Sequence, residues 1–258
     1  MWGTEPSSED YGSPGWFSSA SMKAAAAVAV LCVLVGVLAA TAAGHSGVSP
    51  LASVRVVGSG PLTWAKVGVR AAPDRSARVL ATLEQFRPDF HPRTVLALSA
   101  RLGRNGEPTW YRIAVPGRPN GRTGWIPAAA ASVAPVDRWL VIYRRARKFE
   151  LYVGGELRRT GPVAVGARGM ETPTGLFYVQ SRFVPRRYPI LGAFAFETSG
   201  YSKVSDWPGG GVVGVHGTNA PWLMGQAVSH GCVRLRNVDV LALRKFVRIG
   251  TPVKVVAA

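Results

Sequence analysis

The sequence predicts a mainly β chain in two folded parts, a small barrel of short strands followed by a larger sheet domain with one packed helix. Three observations predict this. Apolar runs of four to six residues, rich in Val, Ile, Tyr and Trp, recur from Trp64 to the C-terminus between Gly, Pro and Asn turns. Several of them alternate apolar and polar residues, as half-buried strands do. Only the stretch after Asn237 shows helical spacing, with Val240, Leu243 and Val247 as its core stripe, Asp239 in the first turn and Arg244, Lys245 and Arg248 near the last. A composition of 47% hydrophobic and 17% charged residues supports real cores and excludes a disordered chain.

Residues 1–43 read as a polar cytoplasmic tail followed by an export signal or a single membrane anchor. The apolar run 24–43 follows Lys23 and has about 20 residues, enough to cross a bilayer as a helix. It also ends on Ala40-Thr41-Ala42, a small-residue cleavage pattern, and Met22 offers an alternative start. Either outcome places the remainder outside the cytoplasm. Residues 44–63, rich in Gly, Ser and Pro, read as a flexible tether.

Residues 64–134 form the expected barrel. Its five strands are Val67–Arg70, Arg78–Leu83, Val95–Leu98, Trp110–Val115 and Gly124–Pro127. Residues 135–258 continue as hairpins. Leu140–Tyr143 and Phe149–Val153 flank a basic turn, Gly154-Gly155 makes a tight one, and Gly161–Gly166, Gly175–Val179 and Phe194–Phe196 add strands. Arg182–Pro189 reads as one flank of a cleft or as a solvated loop. Thr198–Gly211 reads as a lid or a plain connection ahead of Val212–Val215. Asn237 stands at the N-cap of the helix, which is expected to run to about Arg248, and Val253–Val256 closes the chain as a strand.

Charge and cysteine content narrow the function. The net charge is +17; without Lys23, Glu5, Glu9 and Asp10 of the first 43 residues it becomes about +19. Such a chain attracts polyanions, and anionic cell-envelope polymers fit better than nucleic acid, because no nucleic-acid fold signature is present and the basic residues are spread out. Of the two cysteines, Cys32 lies in the apolar run, so the exported part owns a single thiol, Cys232. It cannot close an internal disulfide, and an unpaired thiol in an oxidising compartment is a liability unless it is used.

A thiol near an imidazole has specific chemistry. A histidine can hold the sulfur as a thiolate–imidazolium pair that attacks a carbonyl, and the imidazolium then protonates the departing amine. His216 ends a β-rich run, and Cys232 follows Ser229-His230-Gly231, at turns where side chains meet substrates. His45 and His91 have no partner set that would make a metal site.

The run His216-Gly217-Thr218-Asn219, followed by Ser229-His230-Gly231-Cys232-Val233-Arg234-Leu235, resembles the signature of the L,D-transpeptidases, whose catalytic domain is of the YkuD type. Glu171-Thr172-Pro173-Thr174-Gly175-Leu176-Phe177 is similar to that family's Thr-Pro-x-Gly hairpin. One common form of the signature has Asn two residues after the Cys, where this chain has Arg234. The resemblance covers about residues 139–256. It implies a β-sandwich-type catalytic domain, with Cys232 as nucleophile and His216 as its proton partner. It further implies that the Gly217 carbonyl orients His216, and that the N–H groups of Gly231 and Cys232, helped by His230 and Ser229, form an oxyanion hole. Arg234 and Asn219 are candidate substrate contacts.

The implied substrates are peptidoglycan stem peptides, cut after the third residue with release of D-Ala and joined into 3→3 cross-links. Carbapenem-type β-lactams are implied covalent inhibitors, and a Cys/His acyl transfer calls for no metal or organic cofactor. The elements VRAAPDRSARVLATL and TWYRIAV with GRTGWIPA resemble a bacterial SH3-like domain, in which Trp125 would be a packing residue and the role would be wall binding or positioning. Two other functions stay open. One is the same acyl-enzyme passing its acyl group to water, as an L,D-carboxypeptidase does, or to a protein amine. The other is a non-catalytic wall-binding protein.

Overall fold

The computed structural model describes residues 56–204 and 210–258. The expected signal or membrane segment, 24–43, lies outside them. Among the described residues no helix is long and apolar enough to cross a membrane. The architecture is mainly β.

The N-terminal part is one antiparallel sheet of six strands: β1 (Gly58–Pro61), β2 (Lys66–Arg70), β3 (Val79–Glu84), β4 (Thr94–Leu102), β5 (Pro108–Ala114) and β6 (Thr123–Pro127). Their spatial order is β1-β4-β5-β6-β2-β3. Alternation fixes the buried face: Val67 and Val69 on β2, Tyr111 and Ile113 on β5 and Ile126 on β6 share one core with Val95 and Ala97. Trp125, expected as a packing residue, is half-buried on the opposite face; the core position of that strand belongs to Ile126.

β1 is a strand that the sequence did not predict, because it lies inside the expected tether 44–63. Its glycines serve close approach and not flexibility. The Ser59 N–H donates to the Ala134 carbonyl at 2.9 Å, and the Ala134 N–H donates back to Ser59 at 3.0 Å. At that spacing a Cβ on Gly60 would stand 1.7 Å from the Ser132 carbonyl oxygen, and one on Gly58 would stand 2.2 Å from that of Ala134.

The C-terminal part contains β7 (Arg138–Tyr143), β8 (Lys148–Val153), β9 (Glu156–Pro162), β10 (Val165–Gly166), β11 (Gly175–Phe183), β12 (Ala195–Tyr201), β13 (Val212–His216), β14 (Ala227–Ser229), β15 (Val233–Arg234), α1 (Asn237–Leu243) and β16 (Pro252–Val256). Eight of the strands form a mixed sheet in the order β15-β13-β12-β11-β16-β7-β8-β9, and β10 pairs with β14 separately. Gly154 and Gly155 both have positive φ, 61° and 85°, as a tight β8–β9 hairpin requires. Helix α1 packs Val240 and Leu243 onto a core with Phe149, Phe177, Phe196 and Leu235, and Val247 joins it.

Two boundaries and one side-chain role differ from expectation. β12 continues through Tyr201, so the first residues of the expected loop 198–211 are strand, with the Thr198 hydroxyl donating to the Val213 carbonyl at 2.8 Å. Helix α1 stops at Leu243 and not near Arg248. There the Phe246 N–H closes on the Leu243 carbonyl, and the Arg244 carbonyl accepts from Arg182 at 2.7 Å. That bond also places Arg182 under the helix end. Asp239, expected only to complement the helix dipole, is fully buried between Arg159 and Arg236, each at 2.7 Å.

The two sheets belong to one compact unit. Arg87 of the first bonds Glu197 of β12 at 3.0 Å, and Gly250 lies so close to Ser59 that a Cβ there would stand 2.3 Å from its hydroxyl oxygen. If β1 is part of this unit and not tether, Gly60→Ala must push two backbones apart. It is expected to lower unfolding stability by about 1–3 kcal/mol in urea titrations; an unchanged midpoint would return β1 to the tether.

Candidate active site

The site is built on β13. Val213 and Val215 point into the core, so Val212, Gly214 and His216 share the other face. β15 runs parallel to β13 with Val215 opposite Val233 and His216 opposite Arg234. That register brings Cys232, one residue before Val233, onto the outer face beside Gly214. The Gly214 N–H donates to the sulfur at 3.3 Å, and the Val212 carbonyl lies 3.8 Å from it as acceptor for the thiol.

Gly214 makes room for this arrangement. A Cβ there would stand 3.6 Å from Cys232 Sγ and 3.4 Å from His216 Cδ2, so the thiol and the imidazole border one notch in the strand. His216 is 4% exposed and Cys232 is half-buried. His216 Nδ1 lies 2.6 Å from the Gly217 carbonyl. A carbonyl only accepts, so the neutral ring carries its proton on Nδ1 and its lone pair on Nε2.

The turn before Cys232 is pinned by Ser229, whose hydroxyl donates to the Cys232 carbonyl at 2.6 Å and accepts from the Gly231 N–H at 3.1 Å. Gly231 has φ +119°, and a Cβ there would stand 2.5 Å from the Cβ of Ser202, so only glycine serves. In this turn the Gly231 N–H is engaged by the Ser229 hydroxyl. His230 is half-buried between these two residues.

Arg234 lies half-buried beside His216, and its Nε is buried with no hydrogen-bond partner among the described residues. Asn219 is exposed on a turn in which the Ala220 N–H donates to the Thr218 hydroxyl at 3.0 Å.

Asn237 does not cap the helix. Its side-chain oxygen accepts from the N–H groups of Ala193 at 3.0 Å and Thr218 at 3.1 Å, tying the segment before β12 to the one after His216. Gly217 must be glycine for this, since a Cβ would stand 2.2 Å from that oxygen. Sequence reasoning missed Asn237 in this role and missed Gly214 altogether. A glycine in the middle of an apolar strand was the available sign of close approach.

Burial sets the protonation of the pair. It lowers the His216 pKa to about 4; the Gly217 and Leu191 carbonyls oppose it, and the Arg234 charge adds to it. Burial also raises the Cys232 pKa, against the pull of the Gly214 N–H and the Arg234 charge. Both shifts favour the thiol and the neutral imidazole over a thiolate–imidazolium pair near neutrality.

Residues 137–255 match the YkuD family, described as the L,D-transpeptidase catalytic domain. The chain is 31% identical over 175 residues to the YkuD protein of Bacillus subtilis (strain 168) and 33% identical over 176 residues to that of Bacillus licheniformis, both named as L,D-transpeptidases. Each alignment covers 67% of this chain and 93% of the relative. A crystal structure of an L,D-transpeptidase from Mycobacterium tuberculosis H37Rv aligns at 18% identity and a TM-score of 0.43, covering 64% of this chain and 90% of that one. A mainly β protein with a thiol and an imidazole on one strand notch thus falls into a defined class. The chain belongs to the L,D-transpeptidase family with a YkuD catalytic domain.

The neutral pair has a kinetic signature. Iodoacetamide should alkylate Cys232 with a rate that keeps climbing through pH 8.5, the ordinary thiol range, and at pH 7 the rate should be at least about tenfold below that of an unfolded control. A plateau from about pH 6 upward would mean a preformed thiolate and would refute the assignment.

Proposed function

We propose that this chain is an L,D-transpeptidase of the cell envelope that forms 3→3 peptidoglycan cross-links through a thioester on Cys232. The observation that carries the reading is the Gly214 notch, which Cys232 Sγ and the His216 ring share. Nε2 of His216 takes the thiol proton as the sulfur attacks the carbonyl of the third stem residue. The Cys232 N–H is the main-chain donor assigned to the developing oxyanion, a favourable place for preorganised charge. As the tetrahedral intermediate collapses, imidazolium returns the proton to the departing D-Ala amine. An amine of a second stem then attacks the thioester and loses its proton to His216, and the sulfur leaves as the thiol.

A base with a pKa near 4 is weak, so the ion pair belongs to the transition state, where the Gly217 carbonyl supports the imidazolium. The unpartnered Nε of Arg234 suits a substrate carboxylate. No metal or organic cofactor enters these steps. A strained β-lactam offers the sulfur an acyl group of the same kind, so carbapenem-type compounds are expected to acylate Cys232.

In this reading residues 64–134 are an SH3-like module and 135–258 the catalytic domain. The basic surface faces anionic envelope polymers, and segment 24–43 exports or anchors the chain outside the cytoplasm. The test is incubation of the chain with disaccharide-tetrapeptide and mass spectrometry of the products. Cross-linked dimers with loss of D-Ala are expected, with none from Cys232→Ala and a rate at least about a hundredfold lower for His216→Ala. Tripeptide without dimers would make it an L,D-carboxypeptidase; turnover by folded Cys232→Ala would refute the mechanism.

A further inference from the structure

Where the two sheets meet, a cavity of about 690 Å³ is lined by residues from both. Its size falls within the range of ligand pockets, which favour such junctions. Arg118, Pro119 and Asn120 come from the β5–β6 connection, Arg144 from the β7–β8 turn, Glu171, Pro173 and Thr174 from the segment before β11, and Tyr201 to Lys203 from the end of β12.

The walls are held in place. Asn120 donates to the Tyr201 carbonyl at 2.7 Å and accepts from the Tyr201 N–H at 2.9 Å. Arg118 stacks on the Tyr201 ring and donates to the carbonyls of Ser202, Val204 and Gly210 at 2.9, 3.2 and 2.9 Å. A Cβ on Gly211 would stand 2.6 Å from the Arg118 guanidinium, so the chain passes directly beneath it. On the catalytic side Arg144 donates to the Thr172 carbonyl at 3.1 Å, and the Thr172 hydroxyl accepts from the Gly166 N–H at 3.0 Å.

The charge of the cavity is positive. Arg118, Arg144 and Lys203 face one carboxylate, Glu171, which Lys203 approaches to 3.8 Å and the Gly169 N–H satisfies at 3.0 Å. Two positive charges remain in excess. The cavity also lies close to the nucleophile. Ser202 lines it, and the same Ser202 side chain packs against Gly231, the residue before Cys232. An extended peptide advances about 3.3 Å per residue, so a peptide acylating Cys232 reaches this cavity with one of its neighbouring residues.

We propose that the inter-sheet cavity is a binding site for a carboxylate-bearing arm of the peptide substrate, with one wall supplied by the N-terminal sheet. The proposal rests on the transpeptidase reading above and adds a specificity site to it. The N-terminal sheet thereby helps to bind the substrate at the reaction centre itself, a role separate from any attachment to wall polymer. Lys203 and Arg144 contribute the accessible charge, and Arg118 holds the floor while adding its own.

The experiment uses the full chain carrying Cys232→Ala, which binds without turning over. It is titrated by calorimetry with a stem tetrapeptide bearing free carboxylates and with the same peptide fully amidated. The free form is expected to bind at least about tenfold more tightly. Adding Lys203→Glu should weaken it about tenfold and shrink the difference between the two peptides, whereas Glu171→Gln should tighten the free form by about threefold. Arg234 is retained throughout, so these changes report the cavity. With Cys232 restored, the iodoacetamide rate of Lys203→Glu should match wild type, as it must if the nucleophile loop is undisturbed. Binding of both peptides with equal affinity, or no response to either charge change, overturns the site and leaves the transpeptidase reading standing. Failure of both peptides to bind overturns the two together.

Discussion

The parallel pairing of β13 with β15 is the constraint on which the candidate site depends. Two residue pairs, Val215 with Val233 and His216 with Arg234, define the register. From it follow the seat of the sulfur on the Gly214 amide, the shared notch with the imidazole and the closeness of the Arg234 charge to both. A one-residue slip would turn every side chain of β15 to the opposite face. The register is locked from two sides: Leu235 donates to the His216 carbonyl at 2.8 Å, and Arg234 exchanges main-chain bonds with Ala164 at 2.8 and 2.9 Å. Apolar burial reinforces it, because Val215, Val233 and Leu235 are wholly inaccessible. The reactive pair is therefore positioned by backbone and core, before any contact between the two side chains themselves.

Much of this was legible in the sequence. Alternation and turn residues marked most of the folded elements closely enough to place His216 at a strand end and Cys232 in a turn. What escaped was information that a linear reading cannot hold. The Gly58-Ser59-Gly60 stretch has the composition of a linker, and only its pairing with β4 on one side and the backbone of residues 132–134 on the other make it a strand. Asn237 stands where an N-cap belongs, yet its oxygen is spent on Ala193 and Thr218, 44 and 19 residues away. In each case a local rule was overruled by a partner distant in sequence or by a competing hydrogen bond.

Glycine has three distinct uses around the reactive pair. Gly214 leaves a notch, Gly217 admits the Asn237 oxygen, and Gly231 combines a positive φ with contact against Ser202. Gly217 and Gly231 let backbone come close to something that a side chain would push away, Gly214 keeps its notch open, and none of them signals looseness. This explains why a glycine-rich sequence surrounds groups that must be held within a few tenths of an ångström. The hydroxyl and amide side chains of Ser229 and Asn237 then satisfy the backbone groups that such tight turns leave over.

The protonation state of the pair connects this packing to chemistry. A buried thiol and a buried imidazole gain nothing by exchanging a proton at rest, since separated charge in that site costs more than the Gly214 and Gly217 bonds return. A bound substrate changes the balance in two ways. Its carbonyl accepts the sulfur's electron pair, so the charge that forms moves outward onto oxygen beside the Cys232 amide. In the proposed reaction its bulk also covers the sulfur, which strengthens every dipole aimed at the notch. A neutral resting pair has a further consequence: a protonated thiol reacts slowly with oxidants and stray electrophiles. In the proposed mechanism the burial that makes His216 a weak base also shields the Cys232 thiol, so that nucleophilicity arises on occupancy of the site.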